Sequence, residues 1–220
     1  MRHVAWFLVC VLAATGAWAE APTYGAEPSQ QFFKEWLVCG PFPLAGPDGN
    51  VDAIRLPGMY QDYLGGEGTA PIAEGQAVAF DGGQCVWKRF VSPDDRVSLD
   101  DAVSKEDKSV AYAYCEVQAA EPKACVLALG SNDGVRVWFN GELVWENPGS
   151  RGLEVDSDQI PVVLHAGKNT LLLKVEERGG KWQLAARMLP LDTASLGEHF
   201  KLFTVTRADE GTATLKYRQS

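Results

Sequence analysis

From Ser109 onward the chain repeats one unit: a short apolar or alternating run, then a cluster of turn residues, roughly every ten residues. The runs cover 110–117, 125–129, 135–139, 143–145, 160–164, 171–175 and 182–189. Between them lie Ala119-Ala120-Glu121-Pro122-Lys123, Ser131-Asn132-Asp133-Gly134, Asn140-Gly141 and His165-Ala166-Gly167-Lys168-Asn169. Asn, Asp and Gly accept the positive φ of tight turns, and Asn-Gly between two alternating runs is a strong hairpin signal. No apolar stripe at helical period competes. A chain of this kind buries its strands by stacking two sheets or closing a barrel, so the reading is all-β, a sandwich or barrel.

The flanking segments organise the remainder. Arg2 and His3, the apolar run 4–14 and Ala17-Trp18-Ala19 make residues 1–19 a secretory signal peptide. The alternative is a buried N-terminal helix. The run is too short to span a bilayer, and Val9 before Cys10 does not suit a lipid-modification site. The expectation is an exported protein, secreted or periplasmic, with no membrane span. Residues 20–31 read as a flexible leader, 32–192 as the sandwich and 193–220 as a C-terminal β extension with two strands around Asp209-Glu210-Gly211. Inside the sandwich, 32–39 is the first strand, 44–83 a long loop insertion with a short helix near 59–64, and 85–91 another strand. The acidic, turn-rich stretch 92–108 has no clear helix.

Charge and cysteines narrow the function. Twenty Lys and Arg against 29 Asp and Glu give a net charge of -9, which excludes partners held by phosphate, nucleic acid above all. Beyond the leader stand Cys39, Cys85, Cys115 and Cys125. In an oxidising compartment these allow two disulfides in three connectivities. One pairing joins Cys115 to Cys125 across a hairpin and Cys39 to Cys85 across a longer loop; the alternative is four buried thiols. Without a C-x-x-C pair and with only His165 and His199 left, a zinc site is not expected. No cofactor is required. Asn132, Asp133 and Gly134 offer oxygens to a structural calcium ion, but turn hydrogen bonds from Asp133 and Asn140 are the stronger reading. The acids Asp94, Asp95, Asp100, Asp101, Asp156 and Asp158 lack EF-hand spacing.

Alternation assigns the faces. Ala111, Ala113, Cys115 and Val117, then Val135, Val137 and Phe139, then Leu171, Leu173 and Val175, then Trp182, Leu184, Ala186 and Met188 make smooth core faces. The opposite faces carry Tyr112, Tyr114, Glu116, Arg136, Trp138, Lys174 and Arg187. Sugars stack their C–H faces on aromatic rings and hydrogen-bond their hydroxyls to such groups, so on one open, concave sheet these seven residues form a glycan-binding surface. The alternatives are packing under loops, the 44–83 insertion among them, and cross-strand ion pairs.

Trp36-Leu37-Val38-Cys39-Gly40-Pro41-Phe42 resembles the opening strand of galactose-binding-like jelly-roll domains in exported bacterial proteins. Residues 130–141 are similar to their central hairpin. Leu164-His165-Ala166-Gly167-Lys168-Asn169-Thr170-Leu171, followed by a Trp-bearing strand at 181–188, is similar to their return to the sheet. The resemblance implies a jelly-roll β-sandwich of two antiparallel sheets and, as in the carbohydrate-binding domains of bacterial glycosidases, a glycan ligand. Those glycosidases carry a catalytic barrel beside the domain. Here there is no G-x-S-x-G, H-E-x-x-H or P-loop, so a protein without turnover is expected. The competing classes are a structural or protein-docking module of a cell-surface assembly and a hydrolase with two facing carboxylates.

Overall fold

The computed structural model describes residues 20–25, 31–46, 49–191, 203–207 and 213–217; the expected signal peptide lies outside them. The elements are β1 (Thr23–Gly25), β2 (Glu35–Pro43), α1 (Pro57–Tyr60), β3 (Ala77–Phe80), β4 (Gly83–Val86), β5 (Lys88–Val91), β6 (Val97–Ser98) and α2 (Leu99–Ala102). They continue with β7 (Ser109–Ala119), β8 (Lys123–Asn132), β9 (Val135–Phe139), β10 (Glu142–Asn147), β11 (Asp158–Leu164), β12 (Gly167–Glu177), β13 (Gln183–Pro190), β14 (Phe203–Arg207) and β15 (Ala213–Tyr217).

The larger sheet runs β10-β9-β12-β7-β2-β5 and the smaller β11-β8-β13-β6. All their pairings are antiparallel except that β1 joins β7 in parallel. The chain crosses between sheets from β6 to β7, β7 to β8, β8 to β9, β10 to β11, β11 to β12 and β12 to β13. It stays in one sheet at the β9–β10 hairpin, where Asn140 and Gly141 have φ of 50° and 84° as an Asn-Gly turn requires. The expected two-sheet jelly-roll sandwich with its insertion and C-terminal hairpin is thus the observed fold. The β14–β15 hairpin pairs with itself, not with the sandwich edge.

Every residue given a core face by alternation is buried between the two sheets, with Trp36, Trp182 and Leu127 among the largest. This follows from the period of two: a register error of one residue would turn the whole apolar set outward.

Several local expectations are corrected. Part of the flexible leader is β1, ordered by its ladder on β7. The helix placed near 59–64 is α1, four residues starting at Pro57, whose fixed φ suits a first helical position. The acidic stretch holds the short α2, capped by the Ser98 hydroxyl, which accepts from the Asp101 amide. The strand expected over 85–91 is broken at Trp87: β4 pairs with β3 in the insertion, whereas β5 is the edge of the large sheet.

No disulfide joins the four described cysteines; all are free, buried thiols. Cys115 and Cys125 sit on consecutive strands of different sheets, so the hairpin that would have brought them together does not exist. Burial pushes every one of the four thiols up, Cys125 to about 12, which keeps them protonated and poor nucleophiles. No helix among the described residues is long and apolar enough to cross a membrane.

Candidate functional site

Register brings six of the seven predicted residues onto the outer face of the large sheet. Lys174 on β12 stands opposite Arg136 on β9 and Tyr112 on β7, making one row across three strands. The next row is Trp138, Leu172 and Tyr114, and Glu116 pairs with Thr170 beyond it. Arg187 does not belong: β13 lies in the smaller sheet, where its guanidinium pairs with Asp156 and covers the Phe32 ring. Alternation gives a residue's face but not its sheet.

The face is closed. Tyr112 and Lys174 have no exposed area, and Trp138 and Tyr114 keep 5% and 7%. The open concavity expected from the sequence is filled by the insertion together with β4 and Trp87, which pack Leu44, Leu56, Met59, Val78, Cys85 and Trp87 against the sheet as a second apolar core. Phe42 stacks on Tyr63 at 4.6 Å and meets Tyr112 edge-on at 5.6 Å. The rings are therefore packing elements first, and an apolar lid on an aromatic sheet face is worth about 25 cal/mol per Å² covered.

At the centre of the covered face sits a charge cluster built around Glu67, which the sequence reading did not single out. Lys174 Nζ donates to Glu67 Oε1 at 2.7 Å and to the Gln61 carbonyl at 2.5 Å. The Tyr112 hydroxyl donates to the same Oε1 at 2.6 Å. Arg136 Nη1 donates to Glu67 Oε2 and to the Met59 carbonyl, each at 3.3 Å, while its Nε faces Glu146 Oε2 in an ion pair at 3.5 Å. Arg136 lies 4.8 Å from the Trp138 ring and 5.0 Å from the Tyr60 ring; Lys174 is 5.1 Å from both Tyr63 and Tyr112. Burial pushes Lys174 down to about 8, against the pull of Glu67. Burial and the neighbouring Glu67 carboxylate together push the Tyr112 phenol up. Tyr114 and Lys168 both donate to Glu116 Oε1 at 3.0 Å, at the margin of the face.

The signal for Glu67 was Gly65-Gly66-Glu67-Gly68, one acid among glycines with φ of 70°, 144° and 86°. That backbone turns sharply and aims its one charged side chain inward. The Asp62 carboxylate organises the turn by accepting from the Leu64 and Gly65 amides.

A second polar cluster closes the end of the sandwich. Asp133 accepts from the Ser150 hydroxyl and from the Arg151 and Arg178 amides at 2.8–3.0 Å. At the opposite end of β9, Asn140 donates to Asn169 Oδ1 and accepts from the Thr170 amide. The expected local turn hydrogen bonds are thus replaced: the side chains of Asp133 and Asn140 tie distant loops together rather than closing their own turns. Buried Glu176 accepts from the Gly149 amide and pairs with Arg178, which donates to the Val51, Ala53 and Ile54 carbonyls and so holds the start of the insertion. An open cleft of about 390 Å³ lies between these loops, lined by Asp52, Ile54, Ser150 and Arg178 among others, and includes none of the seven predicted residues. Among the described residues no group of His, Cys, Asp and Glu has the arrangement of a metal site.

Glu177, next in the chain, is 2% exposed. Burial pushes its carboxyl up to about 7; the Gly179 amide opposes the shift, and Asp133, Asp100 and Asp107 add to it. A folded-state value above the ordinary 4.5 means the fold holds a proton that the unfolded chain gives up. The stabilisation is complete below pH 4.5 and is lost as pH climbs through about 7. Glu177→Gln is expected to flatten that decline and to raise stability at pH 8 by roughly 2 kcal/mol. Thermal melts from pH 4.5 to 8 check it, and an unchanged slope would refute it.

No family model matches the sequence, and no curated protein is similar to it. Among solved structures, a β-glucosidase from Kluyveromyces marxianus is similar over 53% of this chain and 16% of that one, at 12% identity and a TM-score of 0.41. An anti-sigma factor domain-containing protein is similar over 59% of this chain and 40% of its own, at 12% identity and a TM-score of 0.35. The chain thus spans less than half the length of either. Likeness at this level bears on neither activity nor family. What stands of the galactose-binding-like resemblance is the β-rich sheet fold.

Proposed function

We propose that this is an exported, non-catalytic module that docks a protein partner in a cell-surface assembly. The observation that carries this reading is the closed face. The rings and charges best suited to a ligand are sealed under residues 44–87 and paired internally, so the chain presents a braced scaffold instead of a ready cleft. The buried, protonated cysteines supply no nucleophile, and the closed Lys174–Glu67–Arg136 cluster has no access for a substrate.

Crosslinking in the native envelope, followed by reconstitution with the purified partner, tests the proposal. The expected result is a one-to-one complex unaffected by added sugar. Turnover of a glycoside, or tight retention on a neutral polysaccharide with no protein partner, would overturn it.

A second reading, a non-catalytic glycan binder, is favoured by one arrangement: Arg136, Lys174 and Tyr112 in a row beside Trp138. A lid held by apolar contacts alone would need none of these polar groups. On this reading the insertion must move before a glycan reaches the sheet.

A further inference from the structure

We infer that the sheet face beneath residues 61–70 is a closed binding site for the carboxylate of an acidic sugar, with Glu67 as its internal occupant. The inference rests on the glycan reading and adds the ligand's chemical class. One carboxylate here collects a lysine, a tyrosine hydroxyl and an arginine: Oε1 takes Lys174 and Tyr112, and Oε2 takes Arg136. Charge-assisted donors converging on both oxygens are how proteins hold a ligand carboxylate. The fit of Glu67 to Arg136 is loose, since it reaches Nη1 alone at 3.3 Å, while Nε faces Glu146 Oε2 at 3.5 Å. The surroundings select the rest of the ligand. Trp138 and Tyr112 line the sheet side of the site with flat rings, which suit the C–H face of a pyranose and have no counterpart in an acidic peptide.

The strap that carries Glu67 meets the sheet through side chains and not through a backbone ladder. Its backbone hydrogen bonds close on itself, with the Thr69 and Ala70 amides both donating to the Gly66 carbonyl. Its hold on the face is Glu67, the Lys174 bond to Gln61, the Tyr63 side chain, whose hydroxyl donates to the Pro43 carbonyl at 2.6 Å and whose ring stacks on Phe42 at 4.6 Å, and a long Tyr63 amide to Tyr112 hydroxyl contact of 3.4 Å. Gly68 sets how closely it lies: a Cβ there would stand 2.8 Å from Trp138 Cδ1 and 2.9 Å from the Gly141 carbonyl. Gly68→Ala therefore props the strap away from Trp138 and leaves every charge in place.

The test measures binding of a galacturonate trimer to the full chain by calorimetry, with a neutral galactose trimer and a glutamate tripeptide as controls. Gly68→Ala is expected to bind the galacturonate at least ten-fold tighter than wild type, with the controls unchanged, and adding Lys174→Met is expected to abolish the gain. Glu67→Gln, which removes the competing charge without a steric push, is expected to act in the same direction. Wild-type hydrogen exchange under excess galacturonate, which needs no variant to fold, is expected to speed up at amides 62–70. Equal gain for the neutral sugar overturns the carboxylate inference and leaves the glycan reading standing. Equal gain for the peptide overturns the sugar assignment. No gain for any ligand in the variants, with unaltered exchange in wild type, overturns both this inference and the glycan reading, leaving the docking proposal.

Discussion

Glu67→Ala is expected to destabilise the fold by about 3 kcal/mol, because it strips buried Lys174 of its counter-charge and leaves Arg136 only the 3.5 Å contact with Glu146. Lys174 is fully buried and Arg136 nearly so, with 12% of its side chain exposed, and neither can turn to water while the insertion stays in place. Without the carboxylate the Tyr112 hydroxyl loses its acceptor as well. Lys174 would respond by giving up its proton at still lower pH, since Glu67 is the main group holding its value up to about 8. A double-mutant cycle separates the pair from its surroundings. Lys174→Met replaces a buried cation with an apolar chain of similar length, so Glu67→Ala in that background is expected to cost no more than about 1 kcal/mol, a coupling of roughly 2 kcal/mol. Urea unfolding of the four proteins reads this directly. Equal costs in the two backgrounds would mean that Glu67 acts through the loop's conformation and not through its charge.

The same cluster shows where sequence reading reaches its limit. Strand alternation placed Tyr112, Arg136, Trp138 and Lys174 on the face away from the core, because that depends only on the pleat. Side by side on one sheet, they depend on β12 lying between β9 and β7, a long-range order that alternation does not encode. Arg187 fails for that reason: its face was right and its sheet was not. The closure of the face was weakly legible. Leu44, Leu56, Met59 and Tyr63 are scattered through a loop-like stretch, and so many apolar side chains on a surface loop need something to cover. Their spacing follows no helix or strand period, so periodicity gave no direction. The cysteines misled because hairpin and sheet-to-sheet crossing look alike in sequence: both are two apolar runs joined by a turn.

Gly134→Ala is expected to cost about 3–4 kcal/mol, and the reason differs from the one its turn sequence suggests. Ser131-Asn132-Asp133-Gly134 reads as a site of positive φ, yet Gly134 is not among the positive-φ glycines, whereas Gly141 is, at 84°. What Gly134 supplies is room. A Cβ there would stand 2.3 Å from Glu176 Oε1, 2.7 Å from the Asn147 carbonyl and 2.8 Å from the Gly149 amide. Two of these neighbours are backbone. The third is a fully buried carboxylate fixed by the Gly149 amide and Arg178. Relief by moving Glu176 would loosen Arg178, and with it the carbonyls of Val51, Ala53 and Ile54 that hold the insertion's first turn. Overpacking and a disturbed buried charge pair therefore add. Gly141→Ala is the matched control: its Cβ meets nothing closer than Thr69 Cγ2 at 3.4 Å, so the cost is backbone strain alone, about 1 kcal/mol. Chemical denaturation of the two variants ranks steric room against φ. If Gly141→Ala proves the more damaging, the packing of Gly134 against Glu176 is not what fixes the β8–β9 crossing.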